Sequence, residues 1–379
     1  MTAHPDSHVE HAVPPRRANF GRTLVCILGL PFDAVDIAQA VQRIRDAAFG
    51  GQRCFVSTPN LNFAMAAQHD AAFRDSVLHS DLSLVDGMPL VWIARALGRP
   101  IRERVSGADV FEALAAHAGP PVDVFLFGGP PGAAAQACER INQRAGGVRC
   151  VGFDAAGFGS IEAMSSDAQI DRINRSGAHF VVVALGAAKG QAWIEHNAPR
   201  LAAPVLSHLG AVVNFAAGTV QRAPRWVQAA GLEWLWRIKE EPALWRRYAR
   251  DGRAVLSVLL TCVLPDAIRT RRRDAQAVGS LDVLCEPRRD VLRLQGDWRD
   301  GAHLETLRSA LAKLATNVER GLGVDLAGVT DLGNECTALL LCARGWWDQR
   351  GGFAVTASSG AVRASLRRRL AARVLLGAD

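Results

Sequence analysis

Between residues 24 and 209 the chain alternates short, unbroken apolar runs with longer stretches whose apolar positions recur every three or four residues. The runs at 24–28, 54–57, 82–85, 122–127, 149–151, 180–185 and 205–209 predict strands. Helical spacing predicts helices at 34–48, 61–70, 89–97, 108–117, 132–144, 168–176 and 191–199. Strands that lack polar alternation are buried on both faces. Interleaved with amphipathic helices, they predict an α/β fold: a Rossmann-like, mostly parallel sheet with helices on both faces. In such a sheet the segments after the carboxyl ends of the strands gather around a crevice, so those segments carry the candidate chemistry.

The pattern changes near Gly218. Residues 222–250 are dense in Arg and Trp, and helical spacing separates an aromatic and leucine stripe from a basic face. That face reads equally as a solvated surface or as an appendage facing phosphate and membrane. A charged stretch at 268–274 follows, and from 281 the alternation restarts. Strands are predicted at 281–285, 291–295, 323–326 and 353–357, and helices at 304–318, 335–349 and 361–370. The expected organisation is a disordered leader over 1–20, an α/β core over 21–220, a helical basic appendage over 221–265, a linker over 266–280 and a second small α/β unit over 281–379.

Composition narrows the picture. At 49% hydrophobic and 21% charged, the 379-residue chain has globular character, and its net charge of +7 suits an anionic partner such as a nucleotide diphosphate or an anionic membrane face. No nucleic-acid recognition module is visible, so nucleic acid is not an expected partner. The N-terminal segment has no apolar core of a signal peptide. The longest apolar run, 254–264, is far short of the roughly 20 residues a spanning helix needs. The eight cysteines show no CxxC spacing; reduced, buried thiols are expected, which points to the cytoplasm.

Four segments carry candidate chemistry. Ser57-Thr58-Pro59-Asn60 follows a strand, where Thr58 or Asn60 either caps the next helix or holds a diphosphate or sugar. Asp86 closes an apolar strand before Gly87, either as a turn former or as a general base beside a cleft. In Arg102-Glu103-Arg104-Val105-Ser106-Gly107-Ala108-Asp109, Ser106 and Asp109 are candidate caps and Arg104 is a candidate phosphate fork. The turn containing Gly128 and Gly129 permits close backbone approach to a phosphate, but it is not a Walker loop. There is no Asp-x-Asp metal motif, so phosphate charge is expected to be met by Arg, Lys and helix N-termini.

In order along the chain, these segments resemble the WecG/TagA/CpsF glycosyltransferase family from about residue 24 to 248. The carrying motifs are TPNLNF at Thr58, DLSLVDGMPLVW at Asp81, RERVSGAD at Arg102, FGGPPG at Phe127 and RAPRWVQAAGLEWLWR at Arg222, which runs into EPALWRRY at Glu241. The resemblance implies an inverting, metal-independent transfer of a hexose or N-acetylhexosamine from a UDP-sugar, with no cofactor. The acceptor would be a polyprenyl-diphosphate-linked sugar in exopolysaccharide or cell-surface glycan synthesis, at the inner face of the cytoplasmic membrane. Asp86 matches the family's proposed base; Thr58 and Asn60 match sugar- and nucleotide-site positions. Arg104 matches a substrate-binding arginine, and Arg237 and Arg247 match appendage arginines over the diphosphate. Gly128, Gly129, Lys189 and Gln191 complete the expected substrate site, and relatives suggest a homo-oligomer.

Two positions depart from the family pattern. Gly190 and Gln191 stand where Gln and Glu are usual, and Leu244 stands where Arg is usual. They motivate an alternative: a catalytically weakened binding or regulatory protein. The C-terminal unit resembles a STAS domain through Val324-Asp325-Leu326-Ala327-Gly328-Val329-Thr330 and the helix from Asn334. Gly333-Asn334-Glu335-Cys336 replaces the phosphorylatable Asp-Ser-Ser-Gly, so a constitutive docking module with a protein partner is expected there.

Overall fold

The computed structural model describes residues 12–144, 146–155, 157, 159–220, 252–253, 255–271, 279–299, 303–317 and 319–377, with 223–224, 227, 231 and 235–236. The strands are β1 (Leu24–Ile27), β2 (Leu30–Asp33), β3 (Cys54–Ser57), β4 (Leu82–Ser83), β5 (Val122–Gly128), β6 (Val148–Asp154), β7 (Phe180–Ala184), β8 (Val205–His208), β9 (Gly279–Cys285), β10 (Arg289–Trp298), β11 (Gly321–Leu332) and β12 (Phe353–Ser358). The helices of the first part are α1 (Ile37–Gly50), α2 (Leu61–Ala66), α3 (Ala71–Leu78), α4 (Met88–Ala96), α5 (Gly107–Ala115), α6 (Ala133–Gln143), α7 (Asp167–Arg175), α8 (Ala187–Asn197) and α9 (Gly210–Ala217). Those that follow are α10 (Leu264–Arg271), α11 (Leu304–Leu314), α12 (Asn334–Asp348), α13 (Gly360–Arg368) and α14 (Ala372–Leu375).

A six-stranded sheet has the order β4-β3-β8-β7-β5-β6, with β3/β4, β5/β6, β5/β7 and β7/β8 paired in parallel. Its central strands are buried at every position of β7 and nearly every position of β5, as unbroken Val and Phe runs require. The mostly parallel α/β fold expected from the sequence is the one observed. Contacts group the chain into two compact units: residues 1–17, 42–54 and 112–220, and residues 18–41, 55–111 and 221–379.

Several local expectations are corrected. The run at 24–28 does not join the parallel sheet. It forms a two-stranded antiparallel hairpin with β2, pairing Ile27 with Leu30 across a tight turn. Leu28 (φ 51°) and Gly29 (φ 78°) both lie in the left-handed region, which is the requirement of a two-residue type I′ turn. The helix expected over 61–70 ends at Ala66, and Asp70 starts a new one, its carboxylate accepting from the Phe73 N–H at 3.0 Å. Cys138 and Cys150 are joined as a disulfide, against the expectation of reduced thiols throughout.

In the second unit a four-stranded sheet has the order β12-β11-β10-β9, with β10/β11 and β11/β12 parallel and β9/β10 antiparallel. Helix α12 is buried from Cys336 to Ala343, as an apolar run with no polar stripe predicts. It shares one hydrophobic core with Phe20, Leu24, Cys26 and Leu78, and the Phe20 ring stacks on Trp347 at 5.8 Å. A Cβ on Gly345 would overlap the Leu78 carbonyl oxygen, so α12 and α3 approach at backbone distance.

Candidate functional site

In the first unit, β6 lies on one side of β5 and β7 on the other. With right-handed crossovers the connections leaving β5 and β7 depart on opposite faces, and the gap between the two strand ends is a topological switch point, where ligands of open α/β sheets bind. Gly128 and Gly129 stand at that point with φ of 91° each. A Cβ on Gly128 would come within 2.9 Å of Leu185 Cδ2, and one on Gly129 within 3.2 Å of Val213 Cγ1. The Gly129 N–H donates to Ala184 O at 2.9 Å. The glycine pair therefore draws the ends of β5 and β7 together, and the Gly129 amide is engaged within the protein.

Three helices begin beside these strand ends. Helices α6, α8 and α9 follow Gly132, Gly186 and Leu209; none has a capping side chain or an acidic residue in its first turn. By contrast, α2, α3 and α7 are capped by Asn60, Asp70 and Ser166. Uncapped N-termini leave amide donors and the positive end of the helix dipole for an anion. Lys189, half-buried in the first turn of α8, adds a cation where the dipole alone disfavours one. Gln191 is 1% exposed and faces the interior rather than the crevice.

His208, at the end of β8, belongs to the same place and was not singled out by the sequence. Its Nε2 donates to Leu185 O at 2.5 Å. Burial lowers its pKa, and the Leu185 carbonyl only partly offsets that. The only sequence signal for it was a histidine closing an apolar strand ahead of Gly210.

In the second unit the other predicted residues meet at the ends of β3 and β4. Leu84 N–H donates to Ser57 O at 2.8 Å, Asp86 N–H to Pro59 O at 3.1 Å and Val105 N–H to Val85 O at 2.9 Å. These bonds lay the Thr58–Asn60, Asp86 and Arg104 segments side by side. Thr58 and Asp86 are half-buried and Asn60 is exposed. Asn60 caps α2, its Oδ1 accepting from the Phe63 N–H at 2.9 Å. Gly87 turns the chain at φ 123°, with a Cβ position 3.9 Å from Asn60 Cβ. Arg104 is 11% exposed and pairs with Asp109 Oδ2 at 2.7 Å. Ser106 Oγ donates to that oxygen at 2.5 Å and accepts from the Asp109 N–H at 3.1 Å. The capping and the arginine readings of this motif are thus one network.

The end of β4 is braced from behind. Asp33 Oδ2 accepts from the Ser83 N–H at 2.8 Å and from Arg22 Nη2 at 2.5 Å. Burial is the largest single influence on the Arg22 pKa and lowers it, but the charges of Asp33, Cys342 and Asp81 and the hydrogen bond to Asp33 together raise the value. Arg237 and Arg247 lie outside the described residues, as does most of the Arg/Trp segment.

In the first unit the amide-lined helix termini suit an anion, and in the second Asp86 sets a half-buried carboxylate at a strand end. The chain is 27% identical over 206 residues to an N-acetylglucosaminyldiphosphoundecaprenol N-acetyl-beta-D-mannosaminyltransferase of Bacillus spizizenii, covering 54% of this chain and 78% of the relative. It is 28% identical over the same length, with the same coverage, to the protein of that name from Bacillus subtilis strain 168. The model of the Glycosyl transferase WecG/TagA/CpsF family matches residues 25–268, which contain both clusters of candidate residues. With more than half of its length matched by that model, the chain belongs to the WecG/TagA/CpsF family of glycosyltransferases.

Proposed function

We propose that this chain is an inverting, metal-independent transferase. It moves a hexose or N-acetylhexosamine from a UDP-sugar to a polyprenyl-diphosphate-linked sugar during cell-surface glycan synthesis. Asp86 takes the proton of the acceptor hydroxyl as that oxygen attacks the anomeric carbon, and the bond from that carbon to UDP breaks with inversion. Thr58 and Asn60 orient the sugar and nucleotide. Arg104, Lys189, Arg237 and Arg247, with the helix N-terminal amides that the Gly128–Gly129 turn leads into, stabilise the charge that grows on the departing diphosphate.

The observation that carries this reading is the switch-point crevice with its three uncapped, acid-free helix N-termini. The names of the two relatives, which describe transfer to a diphosphoundecaprenol-linked sugar, support the acceptor class. The membrane setting draws on the end of the appendage and the start of the linker. No described helix is long and apolar enough to cross a membrane. Yet Leu256, Leu260, Leu264 and Ile268 are 56%, 57%, 50% and 45% exposed at every fourth position, while Val263 and Ala267 are buried. Such a stripe suits the headgroup boundary.

The test incubates the full chain with a panel of UDP-sugars and a short-chain prenyl-diphosphate-GlcNAc or -Glc, with and without a chelator, and follows products by mass. One added sugar from one donor is expected, unaffected by the chelator. Asp86→Asn should retain its fold and lose roughly 10²–10⁴-fold in turnover. Turnover retained by that variant removes Asp86 as base. UDP binding without any transfer favours a regulatory protein instead.

A further inference from the structure

The imidazole of His208 occupies a slot made by two glycines. A Cβ on Gly190 would overlap His208 Cδ2 and stand 2.8 Å from Cγ; one on Gly210 would lie 3.0 Å from Nε2 and 3.4 Å from Cε1. Gly190 lies inside α8, where glycine costs about 1 kcal/mol relative to alanine in helix propensity. Its φ is not in the left-handed region, so backbone conformation does not demand glycine there. What demands it is the ring. The chain accepts a weak helix former in α8 to seat a histidine at the switch point.

The seating also sets the tautomer. Leu185 O can only accept, so Nε2 carries the proton and Nδ1 of the neutral ring is an acceptor. The Cδ2 edge faces Gly190 and the Nε2–Cε1 edge faces Gly210, which leaves Nδ1 on the side turned away from α8. No hydrogen bond to Nδ1 from the described residues is present, and the side chain is half-buried rather than sealed in the core. A neutral acceptor repels phosphate oxygens and attracts hydroxyl and amide N–H groups.

We propose that His208 is a specificity-determining residue of the donor site, and that its Nδ1 accepts a hydrogen bond from a sugar hydroxyl, an acetamido N–H or the uracil imide of the nucleotide sugar. The inference rests on the proposed use of the switch point by a UDP-sugar. It makes Gly190 the companion of His208: the side chain absent from α8 is replaced by a ring supplied from β8. The diphosphate, in contrast, belongs to the helix N-termini.

Two isosteric substitutions separate this role from a structural one. His208→Gln places an amide N–H near the Nε2 position and can keep the bond to Leu185 O, but it has no acceptor at the δ position. His208→Asn places an acceptor at the δ position and gives up the Leu185 bond. Affinities of the full-length wild type and both variants for UDP, UDP-GlcNAc and UDP-glucose would be measured by calorimetry, with thermal melts as the control for folding. His208→Gln is expected to weaken binding about tenfold or more while melting like wild type. His208→Asn is expected to bind within a few-fold of wild type although it melts earlier. A loss shared by UDP and the UDP-sugars assigns Nδ1 to the uracil, and a loss confined to UDP-sugars assigns it to the sugar. Gly190→Ala, which pushes the ring aside, should reproduce the His208→Gln loss, and combining it with His208→Gln should add little. Wild-type affinity in His208→Gln overturns the proposal and leaves the donor reading standing. A wild-type chain that binds neither UDP nor any UDP-sugar removes both.

Discussion

The side-chain amide of Asn334 pairs with both backbone polar groups of Cys26: the Cys26 N–H donates to Oδ1 at 2.9 Å, and Nδ2 donates to Cys26 O at 2.7 Å. The pair joins the first turn of α12 to the β1–β2 hairpin across 308 residues of sequence. Helix α12 is thus packed against the chain's own Phe20, Leu24, Cys26 and Leu78. Asn334 is 1% exposed, so neither backbone group has water as an alternative partner. Asn334→Ala should cost about 2–4 kcal/mol in denaturant unfolding, because it strands a buried donor and a buried acceptor. Asn334→Asp keeps the acceptor but buries a charge, and should cost more. A loss below about 0.5 kcal/mol for the alanine variant would mean that apolar packing alone holds α12 to the hairpin.

A second buried link ties α10 to the C-terminal sheet. Arg369 pairs with Asp266 through two contacts of 3.2 Å, and also donates to Leu332 O at 2.5 Å and Ser365 Oγ at 2.7 Å. Asp266 is 2% exposed. Asp266→Ala should destabilise by about 3–5 kcal/mol, since it leaves an uncompensated buried guanidinium, whereas Asp266→Leu with Arg369→Met should recover much of that loss. Equilibrium unfolding of the single and double variants checks the sign of the coupling.

His208 also gives the protein a pH signature. Its folded pKa lies below the ordinary value of 6.5 because burial disfavours the imidazolium. The unfolded chain therefore takes up this proton first as pH falls. The stability contributed by the neutral ring is complete above 6.5 and is lost as pH drops from there through the folded pKa. Between pH 7.5 and 5.5 the wild type should lose more unfolding free energy than His208→Gln, which cannot take up that proton. Parallel pH profiles for the two would show that the ring titrates alike in both states.

Cysteine reactivity should divide sharply. Burial pushes the Cys26 and Cys336 thiols up to about 12, while Cys285 is exposed. Under native conditions at pH 8, a maleimide followed by peptide mass analysis should label Cys285 quickly and reach Cys26 and Cys336 only after unfolding. Cys138 and Cys150 should become available only on reduction. Rapid native labelling of Cys26 would show that the α12–hairpin contact opens readily.

The sequence by itself determined the element types and the places where chemistry can sit. Unbroken apolar runs such as 180–185 can only be strands covered on both faces, and the residues after them must lie at the sheet's carboxyl edge. That is why Asp86 and Gly128 were legible as candidates, whereas Lys189 entered through the family resemblance, and why the helix expected at 335–349 is observed at Asn334–Asp348. Periodicity reports which side of an element is buried; it carries no information about what covers that side. Only the tertiary structure decided that β1 turns back into a hairpin, that Asn334 meets Cys26, and that Cys138 meets Cys150. The same holds for His208, seated between Gly190 and Gly210: in sequence Gly190 reads as a lost side chain, and only the packed fold shows the ring that stands in its space.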